Sequence, residues 1–206
     1  MREIKWAMKL RGRRIVFLIL MMIPFQAFCL TVEEYNRLEI KAEDALKYCT
    51  SSELNTNYCF LVDMSMHSGK KRFFIWDFNQ HGVVREYMVA HGICDNYKES
   101  EDNQVEVSNQ IGSHCTSVGK YEIMDRGASN WGIRIKYNLK GLELTNSNAE
   151  ARDIVLHSWS AIPDKEVYPL GVPYSWGCPA VSDKTMEFLD LLIRNQKRNL
   201  LLWVFK

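Results

Sequence analysis

Two residues in the C-terminal third of the chain could perform covalent chemistry together. Cys178 lies in the stretch YSWGCPAV, shortly before a segment with the pattern of a helix. A thiolate is a strong nucleophile, and a nearby helix N-terminus favours it. His157 ends the apolar segment DIVLHSW, where an aliphatic residue would be expected. A histidine can take the proton of a thiol and return it to a leaving amine, so this pair suits acyl transfer.

Both residues also have a structural interpretation. Cys178 could be half of a disulfide or a buried thiol, and a lone His157 is more often a hydrogen-bonded core residue. A catalytic imidazole is usually oriented by a third group. No Asp or Asn stands out for that role, which leaves a backbone carbonyl as the candidate.

The order of several motifs resembles the YkuD-type L,D-transpeptidase catalytic domain of peptidoglycan enzymes. That signature is a histidine, a spacer of similar length, and Ser/Thr-His-Gly-Cys. Here seventeen residues separate His157 from Ser175, and the chain continues as SWGCPA. The Pro-Ala after the cysteine is similar to one branch of the family. The other matching stretches are MVAHG (88–92), SN (108–109), SVGKY (117–121) and NAEARDIVLHSW (148–159).

The resemblance spans about residues 58–205 and implies roles for the residues around the cysteine. Cys178 would be the nucleophile and His157 the base. The backbone around Gly177 and Cys178 would stabilise the oxyanion, and Ser175 would shape the loop or hydrogen-bond near the cysteine. The family needs no metal and no cofactor.

This chain departs from the family pattern beside the nucleophile. Trp176 stands where the family usually has a histidine, and an indole cannot act as acid or base. Pro179 and Ala180 also replace more usual residues. These departures bear on donor recognition more than on the Cys/His chemistry. Trp176 is therefore a candidate for the substrate pocket, and so is His91 of the MVAHG motif, for which a turn histidine is an equal alternative.

The composition excludes some other classes of function. With 206 residues, 47% of them hydrophobic, the chain suits one globular domain with appendages. A net charge of +1 gives nucleic-acid binding no electrostatic support. His114 with Cys94 and Cys115 fits no zinc spacing. The remaining histidines outside the motifs, His67 and His81, lie like His114 in polar turns and are expected to be solvated.

The N-terminus has the pattern of an export signal. Six basic residues and one acid precede the uncharged run 15–32, and small residues follow near Cys29. We expect cleavage near Cys29 and a location in the periplasm or cell envelope of a bacterium. A retained membrane anchor is the alternative, and a lipidated Cys29 is a weaker one. The protein would contact the membrane only if this segment is retained.

Export makes the number of cysteines informative. If Cys29 is removed, five remain, so at least one thiol is free or paired with another chain. Cys178 is the candidate for that thiol. The other four allow three pairings, of which Cys49 with Cys59 and Cys94 with Cys115 is favoured because each pair brackets a polar loop. Four reduced thiols are also compatible with the sequence.

The hydrophobic pattern predicts a mainly β fold, a sheet-rich sandwich with peripheral helices. Aromatic and β-branched runs between turn residues indicate strands, and the 3.6-residue period indicates two helices, 32–49 capped by Thr31 and 182–195 capped by Ser182. The strands are expected within 58–66, 72–78, 83–92, 118–124, 131–144, 153–159 and 199–205. The long polar loop 95–110 suits a functional or mobile role.

The domain organisation expected is a signal segment at 1–29, a helical segment at 30–57 and a catalytic domain at 58–206. The reaction expected is peptidoglycan cross-linking, in which a thioester on Cys178 forms as the terminal D-Ala of a stem peptide leaves. With water as the acceptor, the same site would be an L,D-carboxypeptidase. A secreted module that binds wall peptides without catalysis, and a structural domain with Cys178 in a disulfide, are further alternatives. The sequence leaves the oligomeric state open.

Overall fold

The computed structural model describes residues 30–94 and 105–206. The predicted signal segment 1–29, and the part of the polar loop at 95–104, lie outside the described residues. The elements in chain order are α1 (Val32–Ser51), β1 (Tyr58–Asp63), β2 (Phe73–Asp77), β3 (Gly82–Tyr87), β4 (Gly119–Ala128), β5 (Ile135–Gly141), β6 (Val155–Ser158), β7 (Ala180–Val181), α2 (Asp183–Arg194) and β8 (Leu201–Phe205). Within the described ranges, no helix is both long and apolar enough to cross a membrane.

All eight strands form one mixed sheet, which confirms the mainly β prediction. The strand order is β3-β2-β1-β8-β4-β5-β6-β7. Neighbours are antiparallel except for the β1–β8 and β6–β7 pairs, which are parallel. The two edges approach each other, because the chain after β3 bonds to β7 through Ala90 N and the carbonyl oxygen of Ala180, 2.8 Å apart. The sheet therefore nearly closes on itself.

The central strands are buried on both faces, which explains their continuous apolar sequences. In β1, Phe60 and Val62 face one core, while Cys59 and Leu61 face the other. The first core fills the inside of the curved sheet and is covered by α2 through Met186 and neighbouring side chains. The second lies between the opposite face and α1. Each face of β1, β2 and β8 thus has its own apolar layer.

The helices begin where the sequence predicts. The Thr31 side chain accepts a hydrogen bond from the Glu34 backbone, and the Glu34 carboxylate accepts one from Thr31 N, so α1 starts with a capping box. At α2 the Ser182 side chain accepts a hydrogen bond from Thr185 N. The buried stripe of α1 holds Leu38, Ala42, Ala45 and Cys49. These caps confirm both predicted N-termini.

The cysteine pairing is only partly as expected. Cys94 and Cys115 form a disulfide, whereas Cys49, Cys59 and Cys178 are free. The favoured Cys49–Cys59 pairing is therefore wrong. Both thiols are completely buried in the core beneath α1, where they pack as small apolar groups. Burial raises the pKa of Cys49 to about 12 and that of Cys59 well above its usual range, so both stay protonated and inert.

Candidate active site

Residues 174–178, called the nucleophile loop after the role that the sequence predicts for Cys178, are held in a conformation that requires glycine. Gly177 has φ +105°, and a Cβ there would lie 2.7 Å from the Cys115 carbonyl oxygen. An L side chain would be strained by the backbone and would also clash. Ser175 Oγ donates to the Cys178 carbonyl oxygen at 2.6 Å and accepts from Gly177 N at 3.2 Å. Ser175 therefore links two backbone positions of this loop.

Cys178 is brought beside β6 by the parallel pairing of β6 with β7. His157 is the register partner of Ala180, and Cys178 precedes Ala180 by two residues. The Cys178 sulfur lies 3.4 Å from Val155 N and 3.6 Å from the Asp153 carbonyl oxygen. Val155 and His157 point to the same face of β6 because side chains alternate along a strand. The sulfur and the imidazole thus open into one cavity.

The environment of Cys178 favours the neutral thiol. Burial raises its pKa, and the Asp153 carboxylate adds to that effect. The Val155 N–H and the cations of Arg152 and Lys136 act in the opposite direction, but burial outweighs them. The expectation that the following helix would favour a thiolate is therefore not met in the free protein, and a base must remove the thiol proton.

His157 is buried and oriented by a backbone carbonyl. Its Nδ1 lies 2.9 Å from the Ser158 carbonyl oxygen. Since a carbonyl oxygen only accepts, Nδ1 carries the proton, and Nε2 of the neutral ring is left as the basic nitrogen. Burial lowers the pKa of His157, and the charge of Lys136 lowers it further, while the Ser158 hydrogen bond opposes both. The group that orients the ring is therefore a backbone carbonyl.

The cavity in front of these residues has a volume of about 540 Å³. Aromatic side chains form much of its rim. Trp176 is 74% exposed and packs beside the His114 ring, with centroids 4.9 Å apart. On another side, the rings of Trp131 and Trp159 meet edge to face at 6.0 Å. A cavity of this size with aromatic walls suits a peptide-sized ligand.

His91 lies behind the site and does not line the cavity. Its Nδ1 is 2.7 Å from Nη2 of the buried Arg72, which must be the donor. Burial, helped by the Arg72 charge, lowers the pKa of His91 to about 3, so the ring is neutral. Its backbone oxygen accepts from Ser175 N at 2.8 Å, and its ring packs against Tyr174. His91 supports the nucleophile loop from beneath.

Two of the three other histidines differ from the expectation of solvated turns. His81 is exposed, but His67 and His114 are partly buried. The His67 ring packs edge to face against Tyr168, and His114 packs against Trp176. The sequence around each histidine is polar and gives no sign of these contacts, because Tyr168 and Trp176 are far away along the chain.

The sequence analysis missed two cations at the site, Arg152 and Lys136. Arg152 donates to the carbonyl oxygens of Ser108 at 2.9 Å and Cys115 at 2.5 Å. It thereby ties the disulfide-linked segment to the cavity wall. Lys136 is the register partner of His157 on β5 and also lines the cavity. Arg152 precedes the apolar run that ends at His157, so its place was open to prediction, whereas Lys136 depends on the register of the sheet.

Comparisons with known proteins place these features in context. The family model of the L,D-transpeptidase catalytic domain matches residues 33–205. Comparison with curated proteins gave no significant match. Similar solved structures include Bdellovibrio bacteriovorus Bd1075, with 16% identity over 75% of this chain and a TM-score of 0.45. An L,D-transpeptidase from Xylanimonas cellulosilytica DSM 15894 shares 13% identity over 77% of this chain, with a TM-score of 0.40.

A third similar structure is the helical cell shape determining protein Pgp2 from Campylobacter jejuni. It shares 12% identity over 82% of this chain, with a TM-score of 0.42. The matched region covers 49% of the Bdellovibrio chain, 68% of the Xylanimonas chain and 56% of the Campylobacter chain. This chain therefore spans only about half to two thirds of the length of these proteins.

Proposed function

The chain belongs to the L,D-transpeptidase catalytic domain family, and from that premise we propose that it is an exported cysteine acyltransferase acting on peptidoglycan stem peptides. The observation that carries the proposal is the opening of Cys178 and His157 into one cavity, with the His157 ring oriented by Ser158. The pKa of His157 is lowered and that of Cys178 is raised, so the base and the thiol are both neutral. This is the starting state for general-base activation.

In the proposed acylation step, the Cys178 proton passes to His157 Nε2 as the sulfur attacks the carbonyl carbon of the third stem residue. The C=O electron pair moves to the oxygen, giving a tetrahedral oxyanion. When the intermediate collapses, the C–N bond breaks and the imidazolium returns its proton to the leaving nitrogen. The terminal D-Ala departs as a neutral amine, and a thioester remains on Cys178.

The oxyanion requires a donor in the nucleophile loop. The sequence analysis assigned this role to the backbone around Gly177 and Cys178. Because the Gly177 N–H already donates to Ser175 Oγ, we assign the oxyanion contact to the Cys178 N–H. Ser175 Oγ accepts from the Gly177 N–H and donates to the Cys178 carbonyl oxygen. These two hydrogen bonds fix the direction of the Cys178 N–H.

The thioester is resolved by an acceptor that enters through the same cavity. An amine of a neighbouring stem gives a cross-link: its nitrogen attacks the thioester carbon while His157 takes the amine proton, the C–S bond breaks as the new amide forms, and the proton returns to the Cys178 sulfur. Water in the same position would give hydrolysis and hence carboxypeptidase activity. The exposed Trp176 indole at the cavity offers an apolar surface to an incoming peptide, and we propose an amine of such a peptide as the acceptor.

Export to the cell envelope is part of the proposal and rests on the sequence of residues 1–29, with its basic head and uncharged run. The proposed reaction joins stem peptides of the assembled wall, which lies outside the cytoplasmic membrane, so the proposal requires export. The Cys94–Cys115 disulfide agrees with an oxidising compartment.

Acylation by a carbapenem, a strained amide that leaves a stable acyl group on a nucleophile, tests the proposal. Intact mass spectrometry of the purified protein should show one adduct per chain, and Cys178→Ala should abolish it. Cys49→Ala is the matched control, because that free thiol is fully buried away from the cavity, and this variant should keep the adduct. An adduct that persists in Cys178→Ala, or a Cys178 found in a disulfide in native protein, would exclude the proposed nucleophile.

A further inference from the structure

Lys136 occupies a position in the sheet that the Cys/His chemistry does not use. Across three neighbouring strands, Lys136 of β5 is the register partner of His157, and His157 is the register partner of Ala180 in β7. Directly opposed residues of an antiparallel pair point to the same face. Lys136, His157 and Cys178 all line the same cavity. A cation, the base and the nucleophile therefore follow one another across the sheet.

The Lys136 ammonium has capacity for a further anionic partner. Its side chain is 28% exposed, and the ion pair shown for it joins Nζ to Asp153 at the long distance of 3.9 Å. The Asp153 side chain is 92% exposed, so this contact is readily exchanged. The other cation of the cavity, Arg152, already donates to the backbone oxygens of Ser108 and Cys115. An ammonium has three donors, so Lys136 can bind an incoming anion.

The direction of the bound peptide follows from the proton transfers. His157 must reach the nitrogen of the bond that breaks, because it protonates the leaving amine. The leaving residue therefore lies on the β6 side of the sulfur. The carboxylate carbon of the leaving residue is two bonds, each of about 1.5 Å, beyond that nitrogen. In the same direction, β5 lies one strand spacing of about 4.8 Å beyond β6. A free C-terminal carboxylate thus points towards Lys136.

We propose that Lys136 binds the terminal carboxylate of the donor peptide and thereby restricts the enzyme to amide bonds that precede a free C-terminal residue. This inference rests on the proposed function and adds a specificity residue to it. The substrate class is a peptide whose last residue carries an unblocked carboxylate. A peptide that continues beyond that residue, or ends in an amide, brings no charge to the ammonium.

The test compares two donors, a stem tetrapeptide with a free C-terminus and the same peptide with a C-terminal amide. We measure kcat/KM for both with wild type, Lys136→Met and Lys136→Arg. Wild type should prefer the acid by about 10- to 100-fold, the range expected for one charge-assisted hydrogen bond. Lys136→Met should bring that ratio close to one, and Lys136→Arg should keep most of it. The ratio cancels any general effect of the charge on His157 or Cys178.

Lys140→Met is the matched control. Lys140 lies on the same strand four residues on, hence on the same face, and is exposed outside the cavity. It should retain the wild-type ratio. An unchanged ratio in Lys136→Met, or equal rates on both donors in wild type, would refute the inference while leaving the acyltransferase intact. If wild type neither turns over the acid donor nor is acylated on Cys178, the proposed function fails, and the carboxylate contact fails with it.

Discussion

At the scale of residues, the two side chains that we propose to react, Cys178 and His157, are both held neutral by burial. Burial raises the pKa of the Cys178 thiol and lowers the pKa of the His157 imidazole. An ion pair between thiolate and imidazolium is therefore disfavoured in the free protein. In the proposed mechanism the thiolate forms only when a substrate carbonyl is present to receive it, and a thiol that is neutral between turnovers undergoes fewer side reactions.

The pH dependence of alkylation follows from this state. Because the thiolate is the reactive form and burial raises the thiol pKa, the rate of Cys178 alkylation by iodoacetamide should rise about tenfold per pH unit up to a midpoint above the usual thiol value. Lys136→Met should move the midpoint higher, since its charge stabilises the thiolate. Peptide mapping should find Cys49 and Cys59 unlabelled in native protein. A midpoint below neutral pH would mean that a thiolate is preformed.

At the scale of elements, the nucleophile loop depends on its neighbours as well as on its own sequence. Gly177 of the loop lies close to the Cys115 carbonyl oxygen, and that oxygen also accepts a hydrogen bond from Arg152. The Cys94–Cys115 disulfide fixes that segment against the site. Two chain segments that are far apart in sequence thus determine where the sulfur of Cys178 lies.

A glycine substitution measures this dependence. Gly177→Ala should slow acylation on the order of 100-fold, because a Cβ 2.7 Å from the Cys115 oxygen must displace the loop. Gly112→Ala is the control, since Gly112 also has a positive φ, +79°, but open space around it. It should cost only about 1 kcal/mol of unfolding free energy and leave acylation unchanged. Stopped-flow acylation and thermal unfolding distinguish the two, and equal rates would show that the loop tolerates the displacement.

The sequence predicts an element well where a strand is buried on both faces or a helix is buried along one stripe. β1, β2 and β8 are apolar throughout because each contacts two cores, and the helices are marked by Thr31 and Ser182. β7 contains only Ala180 and Val181, too few residues to show any period. The sequence predicts a strand over 83–92, but β3 ends at Tyr87. The last residues of the predicted range instead pair with the nucleophile loop.

The site is predictable to the extent that it is local. Cys178, His157 and Ser175 follow from a motif and a spacing, and their roles stay proposals until tested. Lys136 enters the site only through the register of β5 with β6. An irregularity in the β4–β5 pairing, between Ile123 and Arg126, shifts that hairpin, and no pattern in the sequence marks it.

At the scale of the whole molecule, closure of the sheet assembles the site. The two edge regions meet where Ala90 N donates to the Ala180 carbonyl oxygen and Ser175 N donates to that of His91. The MVAHG motif therefore serves as a backbone support for the nucleophile loop, while β5 and β6 supply the opposite wall. The core beneath α1 stiffens the far face of the same sheet. The loop that brings Cys178 to the cavity is thus held by hydrogen bonds from the opposite edge region of the sheet.

The most direct test of the central claim is the intact mass of the protein, quenched in acid during turnover of a stem tetrapeptide, with released D-Ala measured in parallel. We predict a thioester of the tripeptide on Cys178 and one D-Ala released per acylation. Both should disappear in Cys178→Ala and fall by a factor of about 100 or more in His157→Gln. Release of D-Ala without a covalent intermediate, or unchanged turnover in either variant, would contradict the account.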